Sequence, residues 1–149
     1  MLEMSGLRRK YYMTYDEAFE KLLNDGTIYT PPKDAIFDFV NAILDRKVKK
    51  SFQLYQECLD VGEAIMVMLT VLYNNTKALL QVQTYRGNKI TEGTGLTPWQ
   101  IKFVKPFVNR YSVYELINLL MLIRKCDNGI KTGKIEEQYV MPYILIHTL

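Results

Sequence analysis

The basic side chains offer the clearest chemistry in this 149-residue sequence, and the first group of them lies between two helical patterns. It contains Arg46, Lys47, Lys49 and Lys50. Several cations on one turn can bind phosphate oxygens or an acidic protein face. A solvated turn produces the same pattern and is the more common explanation, so contact with phosphate or an acidic partner is the functional hypothesis for this group.

A second basic group contains Lys102, Lys105 and Arg110, on the polar side of a predicted helix. Lys102 and Lys105 lie three residues apart and therefore share a helix face. A capped helix that follows a glycine-rich loop and precedes another helix suggests a helix-turn-helix DNA reader as one alternative. Pro106 and the many aromatic residues of the proposed recognition helix disfavour that alternative.

Positive charge is concentrated in the middle of the chain. Residues 46–134 hold fourteen Lys or Arg against six Asp or Glu, a surplus of eight, whereas the whole chain has a formal net charge of +3. Such a stretch attracts nucleic acid or an acidic protein, although many solvated helix surfaces have the same composition. One functional hypothesis is therefore a free-standing helical nucleic-acid-binding protein that uses residues 46–134.

The sequence contains no signature of catalysis or of cofactor binding. Phosphate-binding loops, dinucleotide-binding glycine patterns and the HExxH zinc motif are absent from it. The only histidine, His147, lies two residues from the end, and Glu136 and Glu137 project from neighbouring helix positions without converging. Cys58 and Cys126 lie in apolar segments without a CxxC neighbour, which predicts buried thiols. We therefore predict no catalytic residue, no cofactor and no metal.

No membrane or export segment is visible in the sequence. The chain is 48% hydrophobic, yet no run of it approaches the roughly 18 apolar residues of a membrane span. The N-terminus carries Glu3 and the basic run Arg8 to Lys10 instead of the apolar core of a signal peptide. We expect a cytoplasmic protein with a folded core and no membrane partner.

Apolar residues recur at three- and four-residue spacing almost throughout, which predicts an all-α protein. We expect a compact bundle of about seven helices with the longest one through its centre. The segment 27–32 is predicted to be a linker and the segment 87–95 a loop with at most one irregular turn, where Gly93 and Gly95 add flexibility. The helices are predicted at Thr14–Gly26, Lys33–Asp45, Phe52–Gly62 and Glu63–Arg86, and from Thr97, Ser112 and Ile135.

Three of the helix starts carry a capping-box pattern, the first with Thr14 followed by Glu17. Thr97 is followed by Gln100, and Ser112 is followed by Glu115. In such a pair the hydroxyl accepts from the backbone N–H three residues on, and the longer side chain accepts in return. Pro106 removes one backbone donor and is expected to bend the helix that begins at Thr97.

The order of several segments resembles one protein family. The segment Ala35–Leu44, with the sequence AIFDFVNAIL, is similar to the entry into the last domain of the bacterial DNA polymerase III clamp-loader delta subunit. The resemblance covers residues 35–149, and residues 1–30 resemble the end of the small helical domain that precedes it. Further similar segments follow in the family's order at Asp60–Glu63, Leu79–Gln83, Thr94–Lys102, Tyr111–Leu116 and Asp127–Gly133.

The resemblance implies two parts of the chain and a role in assembly. Residues 1–30 are expected to end an AAA+ lid domain, and residues 31–149 to form a C-terminal helical collar domain. In the family, the collar packs delta against the gamma/tau and delta prime subunits of the complex that loads the sliding clamp during DNA replication. Clamp contact resides in a domain of the family that this chain does not contain, delta lacks a working ATPase site, and any DNA contact is expected to be indirect or weak.

The location of the subunit interface does not follow from the sequence pattern. Tyrosine is over-represented at interface centres, so exposed tyrosines are candidate anchors, although most tyrosines in helical patterns are core or boundary residues. The candidates are Tyr55, Tyr73, Tyr114 and Tyr143.

Overall fold

In the computed structural model, residues 34–148 are described, and they contain seven α-helices and no β-strand. The all-α prediction is therefore confirmed. The predicted helix Thr14–Gly26, the linker 27–32 and the domain division at residue 31 lie outside the described residues, and the division stays a prediction. The helices are α1 Ala35–Leu44, α2 Val48–Asp60, α3 Ile65–Thr84, α4 Ile90–Thr94, α5 Pro98–Val104, α6 Val113–Lys131 and α7 Val140–Thr148, with 3-10 segments at Lys105–Phe107 and Glu137–Tyr139.

The helix α1 buries almost all of its apolar side chains. Phe39, Val40 and Ile43 recur at three- and four-residue spacing and are fully buried. Each such side chain contributes about 1.5–3 kcal/mol of transfer free energy on burial. The helix α2 packs against α1, where the rings of Phe39 and Tyr55 lie 5.8 Å apart between centroids.

The helix α3 is central, as predicted, because it packs against α1, α5 and α6. Met68, Leu72 and Leu79 on this helix are fully buried. Near its end, the side-chain amide of Gln83 donates to the carbonyl oxygen of Val108 at 2.8 Å and so ties α3 to the segment before α6.

The capping boxes predicted at Thr97 and Ser112 are present, and the one predicted at Thr14 lies outside the described residues. Thr97 Oγ1 accepts from the Gln100 backbone N–H at 3.2 Å, and Gln100 Oε1 accepts from the Thr97 backbone N–H at 2.8 Å. Ser112 and Glu115 make the equivalent pair at 3.1 and 2.8 Å. Beyond the first box, the chain tightens into the 3-10 segment around Pro106, so α5 has only seven residues. The helix considered as a recognition helix therefore ends at Val104, before Pro106.

The predicted basic turn from residue 46 to residue 50 is shorter than expected. Arg46 lies two residues beyond α1 and has a left-handed φ of 57°, and Lys47 is extended at φ −90° and ψ 90°. The helix α2 then begins at Val48, so the prediction of a turn was wrong for Val48, Lys49 and Lys50. Lys47 makes no side-chain capping hydrogen bond, and the buried Ser51 hydroxyl donates to the Lys47 carbonyl at 2.7 Å.

The last helix begins later than predicted. The segment from Ile135 first forms the 3-10 segment Glu137–Tyr139, and α7 starts at Val140. Pro142 is the third residue of α7. It is accommodated there because the backbone N–H groups of the first helical turn have no partner within the helix.

The loop between α3 and α5 is more ordered than the glycines suggested. It contains α4, a five-residue helix in place of a single irregular turn. The Tyr85 ring packs so closely on Gly87 and Gly93 that a Cβ atom at either glycine would overlap it. The Tyr85 hydroxyl also donates to the Lys89 carbonyl at 3.0 Å. Gly93 therefore permits close packing of the Tyr85 ring, and its predicted contribution to flexibility stays a prediction.

Candidate functional site

Arg46 connects three separate parts of the chain. Its Nη1 donates to the carbonyl oxygen of Arg110 at 3.0 Å. Its Nη2 donates to Glu115 Oε2 at 3.0 Å and to the carbonyl oxygen of Thr148 at 3.2 Å. One guanidinium thus joins the end of α1 to the start of α6 and to the last residue of α7.

Tyr111 lies under this guanidinium. The guanidinium carbon of Arg46 is 4.3 Å from the ring centroid, a cation–π distance, and the Tyr111 hydroxyl donates to the carbonyl oxygen of Ile43. Burial raises the pKa of Tyr111 to about 12, although the charge of Arg46 acts in the opposite direction. At Glu115, the hydrogen bond from the Ser112 backbone and the hydrogen bond from Arg46 lower the pKa of the carboxyl.

The two predicted basic groups meet through their arginines. Besides the contact from Arg46 to the Arg110 carbonyl, Arg110 Nε donates to Asp45 Oδ1 at 2.9 Å. Pairs of this exposed kind contribute only about 0–1 kcal/mol each. Their main effect is to fix the geometry of the α1 end against the segment before α6, so both arginines act within the fold.

The five predicted lysines behave differently from the arginines. All are exposed, and none has an ion-pair partner among residues 34–148. Three lie at the amino end of α2, one lies on α5 and one begins the following 3-10 segment. They are Lys47, Lys49, Lys50, Lys102 and Lys105.

Among the described residues, the largest set of exposed apolar side chains on adjacent elements lies on α6, on α7 and on the 3-10 segment before α7. On α6, Tyr114 and Met121 are 73% and 64% exposed, and Ile117 lies between them on the same face. Ile146 of α7 is 69% exposed. Met121 and Tyr143 line grooves between α6 and α7, and we call the exposed apolar side chains of these elements the α6–α7 surface. Its members are Tyr114, Ile117, Met121, Tyr139, Tyr143 and Ile146.

Grooves run along both sides of the exposed face of α6. Between α6 and α7 there are two, of about 530 and 210 Å³, and Lys125 lines both of them. Met121 and His147 also line the larger groove, and Tyr143 the smaller. A third groove of about 380 Å³ lies between α3 and α6 and includes Arg124.

The four tyrosines proposed as anchors have different environments. Tyr55 is 8% exposed and packs on Phe39, so its assignment to an exposed interface was wrong. Tyr73 is half-buried and lines the groove between α3 and α6, whereas Tyr114 and Tyr143 are exposed.

Most of the α6–α7 surface was not predicted from the sequence. A signal for it exists, because Val113, Ile117 and Met121 recur every four residues beside the buried stripe of α6. A second apolar stripe on one helix indicates a second packing surface. The helix α7 is apolar on all sides, so its periodicity could not separate Ile146 from the buried Ile144.

The titratable and sulfur-containing side chains are dispersed. His147 Nδ1 lies 2.8 Å from the Tyr143 carbonyl oxygen, and since that oxygen only accepts, this nitrogen carries the proton. Cys58 and Cys126 are buried as predicted, and burial raises the pKa of Cys126. Within the described part of the chain there is no group of three or more His, Cys, Asp or Glu side chains able to hold a metal ion. None of the described helices is long and apolar enough to cross a membrane.

Comparison with known proteins agrees with the resemblance seen in the sequence. The curated DNA polymerase III subunit delta of Bacillus subtilis (strain 168) is 24% identical over 119 residues, which cover 76% of this chain and 34% of that protein. Among solved structures, the Bacillus subtilis DNA clamp loader delta protein superposes with a TM-score of 0.67 at 23% identity, covering 76% of this chain and 35% of that one. This chain therefore spans about a third of the length of these relatives.

The same similarity appears at the level of whole families. The family described as "DNA polymerase III delta subunit, C-terminal domain" matches residues 33–148. The alternative of a free-standing nucleic-acid-binding protein finds no support in any of these comparisons. Because the match takes in well over half of the sequence, the chain belongs to the family formed by the C-terminal domain of the DNA polymerase III delta subunit.

Proposed function

We propose that this chain is a non-catalytic assembly domain of a clamp-loader delta subunit. It packs through the α6–α7 surface against the gamma/tau and delta prime subunits, in the complex that loads the sliding clamp during DNA replication. Clamp contact belongs to another domain of such a subunit. The bacterial cytoplasm is the corresponding place of action.

The exposed α6–α7 surface carries this proposal. Adjacent elements place six large apolar side chains toward solvent, and three of them are tyrosines. Exposed apolar groups that adjoin each other mark protein interaction sites, and tyrosine and methionine are enriched in such sites. The grooves on either side of α6 supply the concave features into which a partner's side chains insert.

Co-purification with the other loader subunits of the same genome tests this function. Met121→Glu places a charge at the centre of the α6–α7 surface, and we expect it to abolish co-elution of the chain with gamma/tau and delta prime in gel filtration. Val67→Glu is the matched control, because Val67 is a similarly exposed apolar residue on α3. The proposal fails if the wild-type chain elutes alone, or if Met121→Glu co-elutes as well as Val67→Glu.

A second proposed role concerns the three lysines at the amino end of α2. They are exposed, they lack ion-pair partners within residues 34–148, and the first turn of α2 has no side-chain cap. Positive side chains at a helix amino end reinforce its positive potential, which favours an anion such as a nucleic-acid phosphate. We propose a weak contact with DNA inside the assembled loader.

A salt titration tests the DNA contact. Binding of a labelled primed template to the reconstituted complex is measured with the wild-type chain and with Lys47, Lys49 and Lys50 all changed to Gln. The expected result is weaker binding and a shallower dependence of affinity on salt, because fewer counterions are released. Equal affinities and equal slopes would refute the contact.

A further inference from the structure

The exposed ridge of α6 is bordered by two cations. With 100° between successive residues of a helix, Arg124 lies on one side of the stripe Ile117–Met121 and Lys125 on the other. Both are exposed, and neither has an ion-pair partner within residues 34–148.

The other charged groups of α6 are already paired. Glu115 binds Arg46, and Asp127 binds Lys131 at 3.0 Å. Among the described residues, Lys125 is consequently the unpaired cation in the two grooves between α6 and α7. Arg124 is likewise the unpaired cation in the groove between α3 and α6, because Lys131 in that groove is paired with Asp127.

We infer that α6 is covered by an apolar face of another loader subunit, and that this face is bordered by carboxylates that pair with Arg124 and Lys125. This inference rests on the proposed function and adds the chemistry of the partner to it. Burying Arg124 and Lys125 without opposite charges would oppose docking, because a desolvated charge needs a partner. Complementary charges at the rim also select the partner and orient it.

A second copy of this chain meets that requirement poorly through α6 itself. A two-fold interface is self-complementary, so each copy would have to supply carboxylates from the same face that supplies the cations. The acids of α6, Glu115 and Asp127, are both held by cations of their own chain. A homodimer in which α6 packs on α6 would therefore leave Arg124 and Lys125 without carboxylates from the partner's α6, and the exposed acids Glu136 and Glu137 lie beyond α6, at the segment before α7.

Charge reversal tests the inference. Fluorescence anisotropy measures the affinity of the labelled full chain for the purified gamma/tau and delta prime subunits of the same genome. Arg124→Glu with Lys125→Glu is expected to weaken binding by on the order of tenfold or more at moderate salt. Lys77→Glu is the matched control, because Lys77 is an exposed lysine of α3 outside these grooves. All three positions are exposed, and circular dichroism checks that each variant is folded.

The outcomes separate this inference from the function on which it rests. If Met121→Glu abolishes binding while the double charge reversal binds like Lys77→Glu, the acidic border is refuted and the assembly role remains. If neither Met121→Glu nor the charge reversal has an effect, the α6–α7 surface itself is refuted. Dimerisation of the wild-type chain that Met121→Glu abolishes, seen by sedimentation velocity, would replace the acidic partner with a second copy.

Discussion

The guanidinium of Arg46 stacks over the Tyr111 ring with 4.3 Å between the guanidinium carbon and the ring centroid. The same Arg46 has a left-handed backbone, with φ 57°. That conformation costs a residue with a Cβ atom about 1–2 kcal/mol. The side-chain contacts of Arg46 with Arg110, Glu115 and Thr148 compensate for this cost.

Substitutions of Arg46 separate the side-chain contacts from the backbone cost. Arg46→Ala loses the contacts and keeps the left-handed residue, so we expect it to lower the free energy of unfolding by about 1–3 kcal/mol. Arg46→Gly loses the same contacts but relieves the backbone, and it should be about 1 kcal/mol more stable than Arg46→Ala. Urea unfolding monitored by circular dichroism measures both. Equal stabilities of the two variants would show that the backbone at residue 46 stores no strain.

The raised pKa of Tyr111 predicts a loss of stability in alkali. The folded state keeps this phenol protonated up to a pKa of about 12, whereas the unfolded chain ionises near 10.0. The folded state therefore binds more protons between these values, and stability falls as pH rises through them. Tyr111→Phe is expected to be less stable at neutral pH, because it loses the hydrogen bond to the Ile43 carbonyl.

The difference between the two pH profiles is the measurement for Tyr111. Urea unfolding midpoints are compared for the wild-type chain and Tyr111→Phe from pH 9 to pH 11.5, at intervals of about half a pH unit. A tenfold difference in proton affinity between the folded and unfolded states changes stability by about 1.4 kcal/mol. The stability advantage of the wild-type chain should therefore shrink as pH rises. A constant advantage across this range would mean that the Tyr111 phenol ionises alike in both states.

The helical fold could be predicted from the sequence because each helix carries local signals. Three- and four-residue apolar spacing located α1, α3 and α6, and the side chains of Thr97 and Ser112 located two helix starts to the residue. The start of α2 was misplaced because Lys47 offers no capping side chain there. The start of α7 was misplaced because a 3-10 segment precedes it, and short 3-10 segments have no apolar period of their own.

The candidate site was harder to predict because it depends on contacts between distant residues. Arg46 and Glu115 are 69 positions apart, so the pairing that makes Arg46 structural has no local signal. The identity of Met121 as a surface residue depends on where α7 packs against α6. Tyr114 and Tyr143 were proposed from residue type alone, and Tyr55 was wrong for the same reason, since residue type does not decide which side of a helix is covered.

The packing of Tyr85 predicts that its loop is sensitive to small added groups. Gly87→Ala and Gly93→Ala each place a methyl group where the Tyr85 ring lies, so the ring must move and the hydrogen bond to the Lys89 carbonyl is lost. We expect faster amide hydrogen exchange in residues 86–94 with little change in the helices of the core. In a Tyr85→Ala background, the same glycine substitutions should have no further effect. Additive effects in that background would show that the Tyr85 ring is not what excludes the methyl groups.

The close approach of Ile135 to α6 predicts an unusual response to a helical alanine. Replacing glycine by alanine inside a helix normally stabilises a protein by about 1 kcal/mol. Gly129 is buried near the end of α6, and a Cβ atom there would overlap the Ile135 side chain, so Gly129→Ala should instead destabilise by about 1–3 kcal/mol. Ile135→Ala removes most of the overlapping atoms, and Gly129→Ala should become neutral or stabilising in that background. Urea unfolding of the wild-type chain, the two single variants and the double variant measures the coupling. A Gly129→Ala substitution that stabilises the chain while Ile135 is unchanged would contradict the overlap.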